Sequence, residues 1–173
     1  MRPHRSTYSR RAQRVSTKKR TEARARLVRE SVKAKQELDA TVQSTERTAI
    51  LERLLCDGIA YAALDFTPTK IRNFQFTVEW LESCIDDSPM YIESAWKGII
   101  RTLVEPCIDI CRPVVGESWP TTGDTPLPPF TDPELQLPLY PCIEIAAAFE
   151  ARRPELARAA AMRFFSLLKS QNG

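Results

Sequence analysis

Apolar positions recur along most of this chain at the spacing of helical faces, but they begin late. Between Met1 and Arg26 the aliphatic residues other than alanine are Met1 and Val15. From Thr21, where Thr21-Glu22 can start a helix, Leu27/Val28, Val32, Leu38 and Val42 fall on one loose stripe. The intervening residues are rich in Ala, Arg, Lys, Glu and Gln, all good helix formers. Ser44-Thr45-Glu46 reads as a soft break. Ala49, Ile50, Leu51, Leu54, Leu55 and Ile59 then give a wider apolar face, ending near Gly58 or continuing to Leu64. Thr67-Pro68 punctuates the chain. Phe74, Val78, Leu81 and Ile85 follow at steps of four, three and four, a clean helical face. Phe76 and Trp80 lie off that stripe, which predicts a helix covered on two sides. Asp86-Asp87 oppose the dipole at a helix C-terminus and so mark a stop.

Ser88-Pro89 pairs a capping side chain with a proline at the first helical position, where the missing N–H costs nothing. Ile92, Trp96, Ile99 and Leu103 again step by four, three and four. Pro106 is expected to end or kink this helix. Cys107, Ile108, Ile110 and Cys111 extend it briefly, up to Arg112-Pro113. Residues 112–141 then hold eight of the thirteen prolines. Trp119-Pro120, Pro126 to Phe130 and Leu137 to Pro141 are incompatible with helix or central strand. The C-terminal part returns to helix. Ile143, Ile145, Ala146 and Phe149 start it, Arg153-Pro154 marks a second start, and Leu156, Ala160, Phe164 and Leu167/Leu168 share a face.

The pattern predicts an all-α fold, a small helical bundle of about five or six helices with a long proline-rich connection and a disordered basic N-terminal arm. Three segments are expected: residues 1–20 as disordered basic arm, 21–45 as a basic helix that packs or projects, and 46–173 as a helical body carrying the connection at 112–141. With 173 residues there is room for one ordinary domain. Residues 1–26 lack the apolar surface to offset their ordering entropy, which is why the arm is expected to be disordered when free.

Charge sharpens the division. Residues 2–35 hold nine arginines and four lysines against Glu22 and Glu30. The rest of the chain carries twelve bases against twenty acids, within a formal total of +3. A basic arm is joined to an acidic body, and the arm is also placed to fold back on that body as a mask. Arg2, Arg5, Arg10, Arg11, Arg14, Lys18, Lys19, Arg20, Arg24 and Arg26 are the candidates for nucleic-acid contact or an import signal. Tyr8 is the one aromatic there to stack on a base, so binding without sequence readout is expected. Ser16 follows Arg11 and Arg14 at spacings that basophilic kinases accept, and a phosphate there would weaken the arm's field.

Motifs for chemistry are missing from the pattern. The one histidine is His4, inside the arm, which leaves no partner for a Ser or Cys nucleophile in the body. The five glycines are scattered, so no phosphate-cradling loop exists. Cys56, Cys84, Cys107, Cys111 and Cys142 have no zinc spacing and read as reduced core thiols. Glu79, Glu82, Asp86, Asp87 and Glu93 read as a solvated face. No enzyme, cofactor or metal is expected. No secretory signal or apolar span is visible in the sequence, so the expectation is an intracellular protein of nucleus or cytoplasm with no membrane partner. Pro126 to Pro129 has the spacing of a polyproline ligand, and Trp119, Pro126, Pro129 and Phe130 form a second candidate, for a protein partner. The competing reading makes them anchors that lay an extended segment over the helices.

Two functional classes follow. In the first, a non-enzymatic accessory protein binds RNA or DNA through its arm and a protein partner, or another copy of itself, through its body. In the second, a protein-interaction regulator uses the arm only as a nuclear-localisation signal. A basic arm ahead of a small helical body resembles, in layout, the small accessory proteins of RNA viruses such as the paramyxovirus C proteins. That resemblance implies a viral accessory protein acting on host or polymerase machinery.

Overall fold

The computed structural model describes the backbone of residues 7–87, 91–116 and 139–172. Side chains are described from residue 16 onward within these spans, apart from residues 44, 85–87, 92–93 and 168–172. Among the described residues the fold is all-α, with seven helices and no strand: α1 Thr7–Ala40, α2 Ser44–Asp65, α3 Pro68–Asp87, α4 Ile92–Ile108, α5 Arg112–Val115, α6 Leu139–Glu150 and α7 Pro154–Asn172. The seventh element beyond the expected count is α5, a single turn of four residues.

The bundle is built around α2, which packs against α1, α4, α6 and α7. Its composition explains the position. Ile50, Leu51, Leu54, Leu55, Cys56, Ile59, Tyr61, Ala62 and Ala63 are all buried, so it is apolar around most of its circumference. Helix continues through Gly58 to Asp65. On one side α3 packs against α4 and α6, burying Ile71, Phe74, Val78, Leu81 and Cys84. Rings join the layers. Phe149 of α6 sits 5.2 Å from Phe66 and 5.4 Å from Phe74, and Trp96 of α4 stacks on Phe164 of α7 at 5.6 Å. Each such ring removes apolar area worth about 1.5–3 kcal/mol from water.

Several expectations shift in position. No break occurs at residues 20/21: α1 runs without interruption from Thr7, in a stretch whose Arg, Lys, Gln and Ala favour helix. The break between the first two helices is Thr41–Gln43, one turn earlier than expected, with Val42 95% exposed at its tip. The buried stripe of α1 is Leu27, Ser31, Ala34 and Leu38. Val28 and Val32, assigned to that stripe by their hydrophobicity, are exposed instead. Small residues at 31 and 34 let the two backbones approach, and close approach outweighs the side-chain area that valine would offer. Residues 27–38 therefore pack on the body and do not project.

The proline-rich connection is shorter than 112–141. Arg112-Pro113 opens α5, and Pro141 lies in the first turn of α6, where the N–H it lacks has no helical acceptor. Pro106 lies inside α4, which continues two residues beyond it to Ile108. The expected starts at Pro68 and Pro154 and the stop at Asp87 coincide with the observed ends. Ser88 and Pro89 lie outside the described residues.

Candidate nucleic-acid interface

The candidate cations lie on a single helix that is half core and half charged rod. Leu27, Ser31, Ala34 and Leu38 fix α1 on α2, and this determines which of its cations face the body. Arg20 and Arg24 share the packed side. Arg20 Nε lies 3.9 Å from Asp65 at the end of α2, and Arg24 approaches Tyr61. The Tyr61 hydroxyl titrates above its ordinary value, first because of burial and then because of Asp65, with Arg24 opposing. Further along, Glu37 of α1 meets Arg53 of α2, and Lys35 pairs with Asp39 at 2.9 Å. The two helices are thus tied by opposite charges in both directions, which places part of the basic arm on the acidic body.

The outward flank differs. Arg26, Arg29 and Lys33 are exposed, follow one another at three and four residues, and so form one row. None has a carboxylate within ion-pair distance among the described residues. Lys18 and Lys19 are exposed nearer the N-terminus, Lys18 at 3.9 Å from Glu22 and Lys19 near enough to Glu155 to help lower its carboxyl, after the Arg153 hydrogen bond. Arg10, Arg11 and Arg14 lie on α1 with side chains that are not described. Arg2 and Arg5 fall outside the described residues. Ser16 is exposed on α1. Trp119, Pro126, Pro129 and Phe130 all lie outside the described residues, so neither reading of that segment gains support. Arg29 and Lys33 were not in the expected set; they lie downstream of the denser clusters, among the apolar positions Leu27, Val28 and Val32.

A second surface was not expected. Phe76 is 68% exposed, Trp80 38% and Tyr91 48%, and the Trp80 and Tyr91 rings lie 6.3 Å apart. The expectation that α3 is covered on two sides is therefore incorrect. Phe76 and Trp80 stand one turn apart on the side of α3 away from its buried stripe, with Glu79 exposed beside them. Those glutamates at 79 and 82 were the available signal that this side faces solvent.

The five cysteines are all buried and none forms a disulfide. Cys107 holds its proton well above the ordinary thiol value through its hydrogen bond with Cys111 and through burial, and burial alone raises Cys142. Such thiols are poor nucleophiles. Among the described residues no three His, Cys, Asp or Glu side chains come together to hold a metal. No helix among them is long and apolar enough to cross a membrane. Among the described residues, fold and surface define an all-α bundle with a cationic flank on α1 and an exposed aromatic patch on α3. In comparison with known proteins, the chain matches no family model, no curated sequence and no solved structure.

Proposed function

We propose that this is a non-enzymatic accessory protein in which α1 binds RNA or DNA without sequence preference and the helical body engages a protein partner. The observation that carries the reading is the outward row of Arg26, Arg29 and Lys33, three exposed cations with no carboxylate partner among the described residues, continued by Lys18 and Lys19. Cations not already neutralised by the protein are the ones that release counterions from a phosphate backbone. A helix presents them as a straight row with a rise of about 1.5 Å per residue.

Anisotropy titrations of a labelled single-stranded RNA and a duplex DNA test this, comparing the full chain with the full chain carrying Lys18, Lys19, Arg26, Arg29 and Lys33→Gln. Truncation at residue 35 is unsuitable, because it would remove Leu27, Ser31 and Ala34 from the core. Five neutralised phosphates predict a log–log salt slope of about −4 to −5 on duplex DNA. The substituted chain should lose most of that slope. Absence of binding at about 50 mM salt, or a slope unchanged by the substitutions, would overturn the proposal.

A second reading, the protein-interaction regulator with an import signal, is favoured by the exposed aromatic patch on α3. It includes the viral accessory role that the layout suggests. It predicts no nucleic-acid affinity in the same titration.

A further inference from the structure

We propose that the patch of Phe76, Trp80 and Tyr91 is the docking site for α1 of a second copy of this chain, in a head-to-tail contact. This rests on the protein-binding half of the reading above and names its partner.

The patch states what it would accept. Three large rings are exposed on one side of α3 and the start of α4. Glu79 and Glu82 are exposed on α3, and from Asn73 to Trp96 the sequence holds five acids and no base, bounded by the exposed Arg72, one turn before Phe76, and Lys97. An aromatic surface in that negative stretch favours a partner that is apolar along its centre and cationic at its edges.

The chain itself carries such an element. On the outer side of α1, Val28 and Val32 are exposed one turn apart, at 37% and 44%. Arg29, exposed one turn before Val32, is among the described residues the unpaired cation of this edge; Arg24 turns toward Tyr61 and Lys35 pairs with Asp39. The other basic helix with exposed apolar residues, α7, is less suited. Beside Leu156 and Met162, its Arg153 is already paired with Glu155, Arg158 with Asp57, and Arg163 with Glu144. Their charges are already matched within the chain. Arg29 has no ion-pair partner among the described residues.

The contact forms between copies: among the described residues α1 packs along α2 and α5, α3 packs against α4 and α6, and no contact joins α1 to α3 within one chain. Two different surfaces are involved, so the association is heterologous and continues from copy to copy until it closes as a ring or ends as a short filament.

Nuclease-treated full-length protein, free of nucleic acid, should grow in mass with concentration in sedimentation velocity at low salt. It should return to monomer near 1 M salt, where the screening length falls to about 3 Å. Phe76→Ser disables the patch and Arg29→Glu disables the helix, and each should weaken association by about tenfold or more. Both residues are exposed, and circular dichroism checks that the variants stay folded. The decisive step is mixing. Each variant keeps the half that the other has lost, so an equimolar mixture should give a one-to-one dimer that grows no further. Wild-type protein that stays monomeric overturns the inference, as does a mixture that fails to pair. So does loss with Phe76→Ser but not with Arg29→Glu, which would mean a patch-to-patch dimer or a different occupant. Association that vanishes on nuclease treatment also overturns it, while leaving nucleic-acid binding intact. Phe76→Ser should change RNA affinity less than twofold, so the two proposals fail separately.

Discussion

A Cβ at position 58 would lie 2.0 Å from Sγ of Cys107, so Gly58 is the residue that lets α2 and α4 touch. The sulfur is fully buried and cannot swing into solvent. Gly58→Ala should therefore destabilise the fold by about 3 kcal/mol, although alanine is the better helix former. Removing the sulfur removes the conflict. In a Cys107→Ala background the same substitution should cost about 1 kcal/mol or less. Urea unfolding of the four proteins of this cycle measures the coupling, and additive effects would show that the two helices do not meet there.

Arg152 combines two unusual properties. Its φ of 54° is left-handed, in the turn between α6 and α7. The turn is closed by Arg153 N–H donating to Ala148 O at 2.9 Å and Arg152 N–H to Phe149 O at 3.2 Å, the arrangement in which glycine is usual. The guanidinium reaches back and donates to Phe66 O and Ala63 O, capping the C-terminus of α2. Arg47 does the same for α1, donating to Leu38 O at 2.7 Å and Thr41 O at 3.1 Å. The charged hydrogen bonds of Arg152 contribute about 1.5–3 kcal/mol, against backbone strain of about 1 kcal/mol. Arg152→Ala should lose the first and keep the second. Arg152→Gly should lose both and be the more stable of the two by about 1 kcal/mol, measured as a difference in urea midpoint.

The seam between α1 and α2 gives a pair of opposed outcomes. Ser31 is fully buried with its hydroxyl donating to Val28 O at 2.7 Å, a local bond that asks nothing of α2. Ser31→Ala should lie within about 0.5 kcal/mol of the wild type. Ala34→Leu inserts three carbons where two helices meet and should cost about 1–3 kcal/mol. Chemical denaturation with an unchanged m-value checks both. A neutral Ala34→Leu would mean that α1 does not pack there.

Alkaline pH should loosen the protein before acid chemistry is relevant to the core. The hydrogen bond with Cys111 and then burial raise Cys107, and burial raises Cys142 and Tyr61, above the ordinary values of 9.0 for a thiol and 10.0 for a phenol. Groups raised in this way contribute stability that is complete below the unfolded value. As pH passes about 9, the unfolded thiols ionise while the folded ones do not, and each costs about 1.4 kcal/mol per pH unit. Stability should be level from about pH 7 to 8.5 and fall above 9. Cys142→Ala should make the fall shallower by about 1.4 kcal/mol per pH unit, read from urea midpoints against pH.

How legible this molecule was depended on what kind of signal each element carries. The buried faces of α3 and α4 were read directly, because Phe74, Val78, Leu81 and Ile99, Leu103 are large residues at helical spacing. The α1 seam was legible only in part, for the converse reason. Leu27 and Leu38 of the expected stripe are buried, but between them the buried positions are the small Ser31 and Ala34, whereas Val28, Val32 and Val42, which hydrophobicity also pointed to, are exposed. Proline was overread at Pro141, since a first helical turn tolerates it as well as a loop does. The long helix was underread, because residues 7–20 satisfy helix propensity without any apolar face. On the candidate interface, composition found the basic stretch. Which cations face out depended on the direction in which Leu27 and Leu38 point, and that is a tertiary fact.

The continuity of α1 has a thermal consequence. Leu27 and Leu38 belong to the core, and Lys18, Lys19 and Arg26 stand on the same uninterrupted helix. A polyanion that grips the helical form of that end is therefore linked to melting of the whole bundle. At about a hundred times its dissociation constant it would add about 2.7 kcal/mol to unfolding. If α1 binds polyanions as proposed, the melting temperature of the whole bundle should rise with the ligand and fall back as salt displaces it.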